Sequence, residues 1–67
     1  MSTYQEVKMQ AYQNIHKMEL ELARMERVHR KYVKHGAVKA AEELETEIEA
    51  LRAVIKFEEY LMAVAFD

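Results

Sequence analysis

His35-Gly36-Ala37 interrupts an otherwise continuous run of helix-forming sequence. Gly36 is the only glycine among the 67 residues, and proline does not occur. Glycine has no Cβ, so it enters the left-handed conformation that ends a helix at little steric cost. Strong helix formers with helical apolar spacing flank it on both sides. The stretch therefore predicts a chain reversal. The expected fold is all-α: a single antiparallel two-helix hairpin domain, with helix 1 over about 3–34, a turn over about 35–37 and helix 2 over about 38–64.

Upstream of the turn, Ser2-Thr3-Tyr4-Gln5-Glu6 carries start signals. Thr3 with Glu6, and Ser2 with Gln5, have capping-box spacing, in which a hydroxyl accepts from a free amide and the longer side chain reaches back. Tyr4, Val7, Ala11, Ile15, Met18, Leu22, Met25, Val28 or His29, and Tyr32 then recur every three or four residues and predict one buried stripe. Tyr4 and Tyr32 are expected to bury their rings and leave their hydroxyls at the rim. Asn14 and His29 fall at the edge of the stripe and read as boundary groups.

The opposite face of helix 1 has two halves. Met9, Tyr12 and Leu20, with His16 among them, form an outer apolar line near the start. Arg24, Arg27, Arg30, Lys31 and Lys34 gather farther along. Basic residues near a helix C-terminus complement its dipole. The same stripe also offers contacts to an acidic protein partner or to nucleic-acid phosphates, although no base-reading motif accompanies it.

Downstream of the turn, Ala37, Ala41, Leu44, Ile48, Leu51, Ile55 and Met62 make the inward stripe, interrupted by Glu58. Alternating steps of three and four are coiled-coil-like. Glu42, Glu43, Glu45, Glu47 and Glu49 form an acidic early segment, of which Glu42 and Glu43 are expected in the first turns, beside the positive end of the helix. At the far end, Val54, Phe57, Leu61 and Val64, flanked by Tyr60, form a second apolar track. One partner helix cannot cover two tracks. Antiparallel pairing is expected to bring this doubly apolar end beside Met9 and Tyr12.

Composition points the same way. A hydrophobic fraction of 51% is high for a chain with so little interior. Association turns exposed apolar surface into core, so a homodimer in the form of a four-helix bundle, or a higher homo-oligomer, is expected. The net charge of −2 divides unevenly. Residues 1–35 hold seven Lys/Arg against four Glu, a balance of +3, while residues 36–67 hold three against eight, a balance of −5. That asymmetry predicts charge complementarity within the hairpin or between subunits.

The chain contains no cysteine, which removes disulfides and thiolate metal sites and fits a cytoplasmic protein. The first residues lack the charged start and apolar core of a signal peptide. The apolar run Leu61-Met62-Ala63-Val64-Ala65-Phe66 is far too short to cross a membrane. No catalytic, cofactor or metal site is expected: no phosphate-cradling glycine loop or nucleophile relay is visible, and His16, His29 and His35 lack zinc-protease spacing. The expected function is a noncatalytic protein-interaction module, a regulator, inhibitor or assembly factor acting as a homodimer. A nucleic-acid-binding bundle and a purely structural subunit are the alternatives. The interaction residues expected are Met9, Tyr12, Leu20, Val54, Phe57, Tyr60, Leu61 and Val64.

Overall fold

A computed structural model describes residues 3–66. It contains two helices, α1 (Tyr4–Lys34) and α2 (Val38–Phe66), packed side by side in opposite directions. Thirty-one residues at about 1.5 Å each make a helix of about 46 Å, and the hairpin measures 50 × 16 × 16 Å.

Thr3 caps α1. Its backbone is extended, and its Oγ1 accepts from Glu6 N at 3.2 Å. The alternative cap at Ser2 lies outside the described residues. Lys31 and Lys34 occupy the last turn, where their charge opposes the negative end of the dipole. The reversal is a Schellman turn. Ala37 N donates to Tyr32 O at 2.9 Å, and Gly36 N donates to Val33 O at 3.2 Å. Gly36 has φ +72°, the conformation that a side chain resists. Ala37 O accepts from Ala41 N at 2.9 Å and so opens α2, but an alanine offers no side-chain oxygen to the free amides. The first turn of α2 also holds no acid, contrary to the expected place of Glu42 and Glu43, which begin one turn further in. The positive end of α2 is thus left without side-chain support.

The buried residues are Ile15 and Met25 on α1 and Ala41, Ile48, Ile55 and Met62 on α2. Ile15, Ile55 and Met62 form one cluster, against which Ala11, Met18, Leu22, Leu51 and Phe66 pack. Glu58 is half-buried where it interrupts the α2 stripe. The inward stripe is narrower than its periodicity implies. Tyr4, Val7 and Tyr32 are exposed, Tyr4 to 54%. Two helices meet along one line, and residues at the edge of a stripe find no third element to cover them.

The open end is closed by an aromatic pair. Tyr4 and Phe66 meet edge to face with centroids 5.3 Å apart, and Tyr4 Oη donates to Phe66 O at 3.1 Å. Phe66 lies beyond the expected end of helix 2 at 64. Its ring packs on the core cluster and on Tyr4, which gives the last turn a tertiary reason to form.

Two changes at the turn act in opposite directions. Gly36→Ala forces a Cβ into the left-handed region, though open space surrounds it. It is expected to cost about 1–2 kcal/mol in a urea unfolding curve. Ala37→Ser supplies the missing cap oxygen and is expected to raise stability by about 0.5–2 kcal/mol in the same measurement.

Candidate functional site

The grooves formed by the described residues are open to solvent, and the candidate surfaces are the faces left open by two-helix packing. Three of them matter.

The first is the second apolar track of α2. Val54 (47%), Phe57 (58%), Leu61 (41%) and Val64 (66%) are all exposed, with Tyr60 beside them. Because α1 already occupies the Ile48–Ile55–Met62 line, the described residues leave this track largely uncovered. At these exposures each large side chain in it forgoes roughly 0.6–2 kcal/mol relative to complete burial.

The second is the outer line of α1, where Met9 (63%), Tyr12 (57%) and Leu20 (58%) are exposed and His16 lies among them. Antiparallel pairing brings it to the same end of the hairpin as the α2 track. It sets Tyr12 beside Met62 and Phe66 of that end, but not against the outer track of Val54, Phe57, Leu61 and Val64. Tyr12 borders a groove shared with Glu59, Met62, Ala63 and Phe66. Glu59 lies two positions from Phe57 and from Leu61, and Ala63 lies two from Leu61. At about 100° per residue, each of these pairs points roughly 160° apart around α2. The core contact therefore separates the two apolar surfaces, which occupy opposite flanks.

The third surface is electrostatic. Arg24, Arg27, Arg30, Lys31 and Lys34 are exposed along the turn half of α1. Arg24 is engaged locally: its Nε donates to Glu21 Oε2 at 3.0 Å and its Nη2 donates to Glu21 Oε1. The acidic residues Glu42, Glu43, Glu45, Glu47 and Glu49 are exposed along the turn half of α2. Charge complementarity within the hairpin would pair these two sets. Among the described residues, however, the salt bridge that crosses between the helices is Arg52 to Glu26 at 3.7 Å. Its polarity is the reverse of the net asymmetry, with the acid on α1 and the base on α2. Arg30 and Glu45 border one depression between the helices, but neither is in a salt bridge across it, and the rest of both stripes lies off the line of helix contact.

The boundary groups fall at the surface. Asn14 is exposed, and its Oδ1 accepts from Gln10 Nε2 at 3.2 Å. His29 is half-buried at the edge of the interface. Glu26 and His29 are three residues apart on α1, a Glu-x-x-His spacing that helical di-metal sites use and that is visible in the sequence. Both border one depression with Glu45, but Arg30 and Arg52 border it as well. Two guanidinium groups beside the acids disfavour a cation there. Among the described residues, no three His, Cys, Asp or Glu side chains converge as a metal site would require. His16 and His29 are separated by about 20 Å of helix, so they cannot act on one atom. No described helix is long and apolar enough to cross a membrane.

No protein family, curated protein or solved structure matches the chain. The candidate surfaces are therefore weighed on their own chemistry.

The bond donated by Arg24 holds the Glu21 carboxyl below its ordinary range. A depressed carboxylate stabilises the fold above the ordinary glutamate pKa, and the contribution disappears as pH falls through the folded-state value. Side-chain carbon shifts in an NMR titration should accordingly show Glu21 protonating at a pH below the ordinary glutamate value, and Arg24→Gln should move it back up.

Proposed function

We propose that this chain is a noncatalytic protein-interaction module that works as a homodimer, with two hairpins forming a four-helix bundle. The role is that of a regulator, inhibitor or assembly factor rather than of an enzyme. The observation that carries the reading is the uncovered track Val54, Phe57, Leu61 and Val64 on a helix whose other apolar line is already occupied. In a globular monomer, isolated exposed apolar residues are ordinary, but a contiguous row of large ones marks an interface.

The energetics of the hairpin support the same reading. Even Ile48, the most buried core side chain, retains 4% exposure, and Met25 retains 8%. A rod made of two helices has no interior that is sealed on all sides. Docking a second hairpin over the track would complete the core and convert the exposed row into buried area. Met9, Tyr12 and Leu20 lie on the other flank, so this proposal leaves them as the surface for a second protein partner. The absence of cysteine suits a reducing compartment, and the proposed setting is the cytoplasm.

Sedimentation equilibrium over a range of concentrations tests the proposal. A dimer is expected for the unaltered chain. Phe57→Ala, present in both copies, should weaken it about twenty- to four-hundredfold, the equivalent of roughly 1.7–3.5 kcal/mol of lost burial. Because Phe57 is exposed in the single hairpin, the helical circular dichroism signal should persist. A chain that stays monomeric up to millimolar concentration, with a cooperative unfolding transition, would rule the homodimer out.

A further inference from the structure

We propose that a second copy of this chain docks on the outer face of α2 through its own α2, running in the opposite direction, with Phe57 of each copy over the partner's Ala53. This rests on the self-association proposed above and adds to it the surface that meets its counterpart, the direction and the register.

Thr46, Ala50, Ala53, Phe57, Tyr60 and Val64 follow one another in alternating steps of four and three, and all are exposed. That is the spacing of a coiled-coil seam. At about 100° per residue its midline stands opposite the buried line of Ala41, Ile48, Ile55 and Met62, so it faces away from α1. Thus α2 carries two seams, and α1 fills one of them. No charged residue falls on the outer seam between Thr46 and Val64. Glu47, Glu49, Lys56 and Glu58 stand roughly 75–105° from its midline, at the rim. Counted over two copies, the exposed side chains of the seam with Val54 and Leu61 offer on the order of 1,000 Å², the size at which specific interfaces begin.

The seam is graded by size. Its half towards the turn carries Thr46, Ala50 and Ala53, and its half towards the open end carries Phe57, Tyr60 and Val64. Such a face is its own complement when reversed. In the opposed direction Phe57 lies level with the partner's Ala53, Tyr60 with the partner's Ala50 and Val64 with the partner's Thr46. Each layer sets a larger side chain against a smaller one, and the two helices keep one separation along the contact. Val54, beside the seam, meets the partner's Val54 at the twofold axis, which runs across the helices. Lys39 and Glu43 continue the seam towards the turn. They come level with positions past Phe66 of the partner subunit, so neither charge is laid on its apolar half. The same-direction arrangement sets Phe57 on the partner's Phe57 and Ala50 on the partner's Ala50, which leaves a void in the smaller layers, and it places Glu43 on the partner's Glu43. Sliding the opposed pair by one heptad either lays Tyr60 on the partner's Glu43 or carries Thr46 and Ala50 past Phe66 of the partner subunit. The four helices then form an open layer in the order α1–α2–α2–α1, and Met9, Tyr12 and Leu20 stay uncovered.

The chain has no cysteine, so one introduced thiol gives one label site. Lys56→Cys, Glu49→Cys and Glu42→Cys, each made singly, place a spin label at exposed positions one heptad apart on one side of α2. Double electron–electron resonance on each labelled chain, with its mass measured on the same sample, reads direction and register together. In the opposed arrangement, each step of seven residues towards the turn lengthens the offset between labels along the helices by about 21 Å. With the helix diameter and the label tethers added, separations of about 20, 25 and 40 Å are expected at positions 56, 49 and 42. Equal separations at the three sites belong to a same-direction dimer and overturn the direction while leaving self-association standing. A series shortest at position 49, or one reaching about 50 Å at position 42, is a pairing shifted by one heptad and overturns the register. A dimeric mass with a separation above about 30 Å at position 56 puts the contact on another face and overturns the docking surface. A monomeric mass overturns both this arrangement and the self-association beneath it.

Discussion

Each helix in this molecule has one neighbour, and that constraint governs everything else about it. A helix with a single neighbour can bury a single stripe. On α1 the stripe is centred on Ile15 and Met25, and on α2 it follows Ala41, Ile48, Ile55 and Met62. Whatever apolar surface lies off those lines stays in water. For Val7, Tyr12 or Val38 singly, that is unremarkable. For the contiguous row of Val54, Phe57, Leu61 and Val64 it is a substantial free-energy reserve, recoverable only by association.

The same constraint explains why the charge asymmetry of the chain is not resolved inside the hairpin. Residues flanking a line of contact can pair across it, as Glu26 and Arg52 do. Residues on the outer faces cannot, however complementary the totals. Most of the basic residues Arg24–Lys34 and the acidic residues Glu42–Glu49 lie off the contact, although Arg30 and Glu45 border one depression beside it. Long-range attraction between them still favours the antiparallel arrangement, but salt screens it over a Debye length of about 8–10 Å. The packed stripe and the turn geometry hold the hairpin together.

Much of the fold was legible in residues with local consequences. Gly36 announced a left-handed position, and the backbone delivers it at φ +72°. Thr3 and Glu6 announced a cap, and the Oγ1 bond to Glu6 N forms it. Periodicity picked out Ile15, Met25, Ala41, Ile48, Ile55 and Met62, all of which are buried. It overreached at Tyr4, Val7 and Tyr32, since spacing reports the angle around a helix and not the width of what covers it. It also stopped short at 64. Phe66 belongs to the helix because of its contacts with Tyr4 on the other helix of the hairpin, which no local pattern records. Glu26 and His29 carried a readable spacing, but its chemical meaning depended on Arg30 and Arg52, the latter from the opposite helix.

The candidate surfaces divide in the same manner. Sequence alone determined that two helices form, where the chain turns, which stripe is inward and that an apolar track is left over, because these follow from backbone conformation and a fixed angular period. Tertiary structure alone decided how each helix is rotated about its axis against the other and which residues stand level across the contact. That rotation puts Tyr12 in a groove with Glu59 and Ala63 and turns Phe57, Leu61 and Val64 to the far flank. It also selects Glu26 and Arg52, against the net charge of their helices, as the pair that meets. Rotation and register arise from interdigitation of Ile15, Ile55, Met62 and their neighbours, a property of two surfaces together that neither helix contains by itself.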